Sequence, residues 1–219
     1  MFTGIVEHQG RVLALRPQAS GARLEIDPCG WTHVPGDGDS VAVNGCCLTV
    51  VAAAAGTAPG TPADRTLRFD VVPQTLGLTT VGTLRPGETV NLEHAATAAT
   101  LMGGHIVQGH VDGVGEVLQV RTDGGEWRTR IAAPPAVAAH LVERGSVAVD
   151  GVSLTLAAVG DGWFEVALIP ATLAKTTLRD RAAGSRVNLE ADCLAKMVTL
   201  AVERALAARG AAAAASPRP

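Results

Sequence analysis

The chain has 219 residues, a formal net charge of −3 and only two lysines, Lys175 and Lys196, so it offers neither a basic footprint for nucleic acid nor a polybasic membrane patch. The length accommodates one or two ordinary domains. No charged-then-apolar leader opens it and no apolar run approaches the roughly 20 residues of a membrane helix, while Cys29, Cys46, Cys47 and Cys193 lack C-x-x-C spacing, so we expect a cytoplasmic protein without structural zinc or a disulfide framework.

In chain order, short alternating runs broken by Gly and Pro read as strands over residues 10–15, 40–43, 47–52, 66–72 and 89–93. A second series follows at 115–120, 128–131, 146–149, 153–159, 163–168 and 186–190. The segments opening Pro73-Gln-Thr and Pro170-Ala-Thr read as short helices, because Pro and Thr are favoured at helix starts. The Ala/Gly/Thr/Pro stretch 52–64 reads as a long hairpin loop. About six short strands per half, without long helices between them, favour closed antiparallel barrels over a parallel sheet. Near the end, Leu194, Met197, Val198, Ala201, Val202, Ala205 and Leu206 recur at spacings of three and four, the stripe of an amphipathic helix. That stripe suits packing on its own barrel or a helix bundle between subunits equally well. Residues 210–219 are low-complexity and read as a disordered tail.

The two series are copies of each other. Ser40 to Thr49 and Ser146 to Thr155 agree at seven of ten positions at an offset of 106, and Val90-Asn-Leu-Glu93 returns as Val187-Asn-Leu-Glu190 at an offset of 97. Two copies of about a hundred residues are too few and too long for a solenoid, so this is a duplicated globular domain. The expected architecture is all-β with short helices. It has two tandem Greek-key antiparallel six-stranded barrels over 1–97 and 98–192, a C-terminal helix over 193–209, and the tail.

Alternation along the repeated strand sorts its residues by face. Cys46 and Leu48 match Val152 and Leu154 and belong to the core. Cys47 and Thr49 match Ser153 and Thr155, a polar pair present in both halves. His110 aligns with Ile5 and Asp192 with Ala95, so each is peculiar to the second half. His105 and His110 lie five apart, on opposite faces of a strand, which disfavours shared metal ligation. The glycines of Gly4-Ile5-Val6 and Gly109-His110-Val111 would let a planar heterocycle approach the backbone closely.

Met1-Phe-Thr-Gly-Ile-Val-Glu7, Asn44-Gly-Cys-Cys-Leu-Thr-Val50, Gly104-His-Ile-Val-Gln-Gly-His110, Asp150-Gly-Val-Ser-Leu-Thr155 and Ile169-Pro-Ala-Thr-Leu173 closely resemble the alpha-type riboflavin synthase family, over Met1 to about Arg209. The resemblance implies a homotrimer joined through C-terminal helices. It implies dismutation of two dimethyl-ribityllumazine molecules, without a cofactor or metal, and raises lumazine synthase as a partner. It further implies an active site between the first barrel of one subunit and the second barrel of its neighbour, with Ser40, Cys47 and Thr49 facing His110, Thr155 and Asp192. Catalytic roles then fall on Ser40, Cys47, His110, Thr155 and Asp192. Ligand contacts fall on Gly4, Ile5, Val6, Cys47, Leu48, Thr49, Asp70, Val71, Val72, Pro73, Gln74, Thr75, Gly109, His110, Val111, Arg144, Ser153, Leu154, Thr155, Ile169, Pro170, Ala171, Thr172, Leu173 and Ala174. The sequence departs from the family at Arg144, where lysine is common, and at Gln74 and Ala171, where glutamates usually stand. A lumazine protein, which holds such a ligand without turning it over, is the main rival reading.

Overall fold

A computed structural model describes residues 1–52 and 65–215. The first half comprises β1 (His8–Gln18), β2 (Gly21–Asp27), β3 (Ser40–Val43), β4 (Cys46–Thr49), β5 (Leu67–Val71), the short helix α1 (Pro73–Leu78), a 3₁₀ turn (Thr80–Thr83) and β6 (Thr89–His94). The second comprises β7 (Gly113–Arg121), β8 (Trp127–Ala132), α2 (Pro135–Ala138), β9 (Ser146–Val149), β10 (Val152–Gly160), β11 (Trp163–Leu168), α3 (Pro170–Lys175), a 3₁₀ turn (Thr177–Asp180) and β12 (Arg186–Ala191), before the final helix α4 (Cys193–Ala215). Strand β2 lies outside every expected run, although Ala22, Leu24 and Ile26 alternate inward between Arg23 and Glu25. The hairpin loop expected at 52–64 lies, from residue 53 on, outside the described residues.

Strand order around the first sheet is β4, β3, β6, β1, β2, β5, and a bridge between Val50 and Phe69 joins its two ends. The second sheet repeats the order as a closed barrel, β10, β11, β8, β7, β12, β9. Each barrel is filled by the inward face of its strands, Val12, Leu24, Ile26, Val41, Phe69 and Leu92 in one and Val117, Ile131, Val147, Phe164, Val187 and Leu189 in the other. Two residues are exchanged. Val6 packs into the second core and Val111 into the first, each contributing roughly 1.5–3 kcal/mol by burial. The barrels are thereby interlocked by their lead-in segments.

A polar dyad holds them in register. Asn91 donates from its backbone to Asn44 Oδ1 (2.7 Å) and from its amide to the Asp150 carbonyl (2.9 Å), and its Oδ1 accepts from Thr177 N (2.8 Å). Asn188 makes the equivalent bonds to Asp150 Oδ1 (2.8 Å), the Asn44 carbonyl (2.8 Å) and Thr80 N (2.7 Å). Both asparagines are buried, and hydrogen bonds made through both ends of the amide remove the penalty of burying it.

Helix α4 leaves its stripe uncovered within the chain: Leu194, Met197, Val198 and Leu206 are each more than half exposed. Its own barrel is therefore not what covers the stripe. The helix also continues past Arg209 through Ala215, where a disordered tail was expected, because a run of alanines has the highest helix propensity.

Candidate functional site

Each half-site is built from one barrel strand and a crossing segment tied to both barrels. The Gly4 carbonyl accepts from Ser153 N of β10 (2.8 Å), while Thr3 N, Thr3 Oγ1 and Gly4 N donate to the Glu93 carboxylate of β6 (2.6, 2.8 and 3.1 Å). The second crossing reverses the pattern. The Gly109 carbonyl accepts from Cys47 N of β4 (2.9 Å), and Gln108 N and Gly109 N donate to Glu190 of β12 (2.7 and 2.9 Å). Between them Phe2, fully buried, exchanges backbone bonds with Val107 (2.7 and 3.1 Å).

The two glycines are obligatory here. Gly4 and Gly109 have φ of +74° and +78°, and a Cβ on either would stand 2.6 Å from the Cβ of Ser153 or Cys47. Only glycine tolerates both the conformation and the approach. Burial pushes the Glu93 and Glu190 carboxyls above the ordinary carboxylate range, against the amide bonds that draw them down.

The first half-site gathers Ser40, Cys47 and Thr49 with Gly109 and His110. Ser40 pairs with Thr49, and Ala42 with Cys47, across the β3–β4 ladder, so Ser40, Cys47 and Thr49 share a face. Cys46 points the opposite way, buried, and desolvation pushes its thiol up to about 12. His110 is exposed, next in chain to the glycine bonded to Cys47. Within one chain, then, His110 follows the glycine bonded to the Cys47 strand, whereas the expectation set it opposite Cys47 with Thr155 and Asp192. The crossing carries it there, and no local sequence pattern encodes that exchange.

The second half-site gathers Gly4, Ile5, Ser153 and Thr155 with His105, which the sequence reading weighed only as a metal ligand. His105 Nδ1 lies 2.7 Å from Ser153 Oγ, and its buried Nε2 has no hydrogen-bond partner among the described residues. Burial lowers its pKa from 6.5, opposed by the charge of Asp192. A neutral imidazole on a serine hydroxyl can accept that hydroxyl's proton. Asp192 Oδ1 also accepts from Leu194 N (2.9 Å), capping the first turn of α4. No repeat signal marks His105, which lies upstream of the matched segments.

The remaining expected contacts divide by burial. Val6, Leu48, Val71, Val111 and Leu154 are core residues, so only their backbone could reach a ligand. Asp70 is engaged by Arg23 in a bidentate pair (2.6 and 3.0 Å). Val72, Pro73 and Gln74 at the start of α1 and Ile169, Pro170 and Ala171 at the start of α3 are exposed at equivalent places, with Thr75, Thr172 and Leu173 half-buried and Ala174 exposed behind them. Arg144 adopts φ +65° and donates from its amide to the Leu156 carbonyl (2.9 Å). The first copy has Gly38 at that position, so the conformation comes from the repeat and the charge from this copy alone. A groove of about 440 Å³ lies at the dyad, lined by Thr80, Thr177, Arg181 and Arg186. None of the expected contact residues lines it.

Two equivalent barrels, each presenting a polar strand face beside a glycine-bearing crossing segment, define a tandem-barrel protein with paired, non-identical candidate sites. The profile of the lumazine binding domain matches twice, over residues 3–95 and 108–192. The chain belongs to the lumazine-binding-domain family, on the branch whose curated relatives are named riboflavin synthase. It is 47% identical over 202 residues to riboflavin synthase of Mycobacterium tuberculosis, covering 90% of this chain and 96% of the relative. To that of Photobacterium phosphoreum it is 40% identical (90% and 87% covered), and to that of Chlamydia pneumoniae 37% (96% and 99%). Among solved structures, LumP complexed with 6,7-dimethyl-8-(1'-D-ribityl) lumazine matches with a TM-score of 0.73 at 26% identity, over 87% of this chain and 98% of that one. LumP complexed with riboflavin matches at 0.74, over 87% and 99%.

Proposed function

We infer that the chain catalyses the dismutation of two 6,7-dimethyl-8-ribityllumazine molecules. A four-carbon unit passes from one to the other, giving riboflavin and 5-amino-6-ribitylaminouracil. The observation that carries this is the pair of pseudo-equivalent half-sites with unequal chemistry, in a chain 47% identical to riboflavin synthase over 90% of its length. Two like sites suit two like substrates, and unequal polar groups let one substrate serve as donor and the other as acceptor. The first half-site offers the Cys47 thiol, the Ser40 and Thr49 hydroxyls and His110. The second offers Ser153 bonded to His105, Thr155 and the carboxylate of Asp192. Holding two lumazines face to face supplies much of the acceleration, since aligning two reactants is worth roughly 7–11 kcal/mol. The remaining tasks are to move a proton from the acidic ring methyl and to stabilise the anion formed.

The productive site joins the first half-site of one subunit to the second half-site of another, in a homotrimer assembled through the exposed stripe of α4. Its setting is the cytoplasm, and association with lumazine synthase, which would supply the substrate, is testable by co-sedimentation of the two purified proteins. Likeness to LumP supports binding without turnover as a second reading. Incubating the purified chain with the lumazine and following riboflavin absorbance decides between them: turnover supports the enzyme, and stoichiometric binding without product supports the carrier.

A further inference from the structure

We infer that Lys196 is a positioning residue for the first half-site: from the first turns of α4 it fastens the crossing segment that sets Gly109 and His110 beside Cys47. The inference rests on the lumazine-dismutation reading for its kinetic consequence, though its geometry stands independently.

Lys196 Nζ donates to both oxygens of Asp112 (3.0 and 2.9 Å), with side chains only 23% and 22% exposed. Asp112 Oδ2 also accepts from Ala191 N (2.9 Å), and its own amide donates to the Leu189 carbonyl (2.9 Å). Asp112 thus ties the crossing segment to β12 and, through Lys196, to α4. Three and four residues upstream, Gly109 and Gln108 hang from Glu190 by their amides. Burial raises the Glu190 pKa and the Asp112 charge adds to the rise, while the Lys196 charge draws it down. One ammonium therefore serves two carboxylates that would otherwise repel each other. Without it Glu190 moves toward its protonated form, which gives up acceptor capacity that the two amides use.

The other crossing is built differently. Glu7 stands where Asp112 stands in the repeat, and it contacts His94 Nε2 (3.1 Å) at the end of β6. Among the described residues no helix takes part there. The Lys196–Asp112 pair links the segment serving the first half-site to α4, the helix whose exposed stripe is the assembly surface of the proposed trimer. Placement of Gly109 and His110 is in this way coupled to the base of the helix that joins subunits.

The test compares Lys196→Met, close in length but uncharged, with Lys196→Arg, which keeps the charge. In Lys196→Met, kcat/KM for the lumazine falls roughly ten- to a hundredfold, the scale expected of a small misplacement at a site. Amide exchange at Gln108 and Gly109 accelerates, and the oligomeric mass by light scattering stays that of the parent. Lys196→Arg recovers most of both losses. Parent-like kinetics and exchange in Lys196→Met, a loss explained by dissociation, or no recovery in Lys196→Arg each overturn the inference. Absence of turnover in the parent protein would instead overturn the functional reading, and exchange at Gly109 would still decide the positioning role.

Discussion

The amide of Cys47 donates to the carbonyl of Gly109 at 2.9 Å, and this bond sets the backbone that leads into His110 against the strand that carries the thiol. Its mirror image, Ser153 N to the Gly4 carbonyl at 2.8 Å, sets the backbone that leads into Ile5 against β10. Which variants can complement one another follows from that grouping.

If Cys47 and His110 of one chain serve one half-site, Cys47→Ala and His110→Ala damage the same one. Unfolding and refolding them together leaves every interface with a defective first half-site, so activity does not return. Cys47→Ala mixed with Ser153→Ala does recover riboflavin formation, because some interfaces combine two intact half-sites from different chains. Native mass spectrometry checks that oligomers containing both variants have formed, and recovery in the first mixture but not in the second would contradict the grouping.

Cys46 and Cys47 are neighbours with opposite fates. Cys46→Val costs less than about 1.5 kcal/mol, as volume-conserving core changes do, and preserves turnover, since Val152 already fills the matching position. Cys47→Ala lowers turnover by orders of magnitude with little change in urea midpoint. Equal kinetic losses in the two variants would show the face assignment to be wrong.

Phe2 packs with Ala42, Val107 and Ala148 where the crossing segments meet. Phe2→Ala destabilises by roughly 3–5 kcal/mol, the usual cost of emptying a buried aromatic site. It also frees Gly4 and Gly109 from their strands. Turnover should fall further than the unfolded fraction explains, which activity assayed well below the melting temperature can separate.

Glu93 and Glu190 have folded pKa values raised above 4.5 by burial. The folded state then holds more protons than the unfolded one between 4.5 and the raised values. This contribution to stability is full below about pH 4.5 and is lost as pH rises through the folded pKa. Glu93→Gln together with Glu190→Gln removes that slope. It also lowers stability at neutral pH, because each glutamine turns an amide group toward N–H donors. Urea midpoints of parent and variant across pH 4 to 8 give the difference, and a gap that does not change with pH would exclude the raised carboxyls as its source.

Truncation after Asp192 removes the exposed stripe of α4. If α4 builds the proposed trimer, the expected product is a folded monomer with little activity, and an unchanged oligomeric state by light scattering would place the assembly surface elsewhere.

Much of the fold could be read from residue order alone. Duplication, the alternating faces of β4 and β10, the proline-led starts of α1 and α3 and the stripe of α4 are local or repeat-encoded, because side-chain period and turn chemistry act over a few residues. The same alternation separated Cys46 from Cys47. The repeat did not, however, show that the segment before His110 bonds to the Cys47 strand, and it left His105 without a role.

Those residues were decided by contacts about fifty to ninety positions apart in the chain. Gly109 reaches Cys47, His105 reaches Ser153, and Glu93 and Glu190 reach back to Thr3 and Gln108. Such bonds form only because Val6 and Val111 each gain burial in the opposite barrel, an exchange that hydrophobic pattern cannot distinguish from packing at home. Sequence by itself determined two barrels, their strand faces and the kinds of group each half could offer. Only the tertiary structure decided which groups stand together, since that depends on where a segment crosses from one barrel to the other.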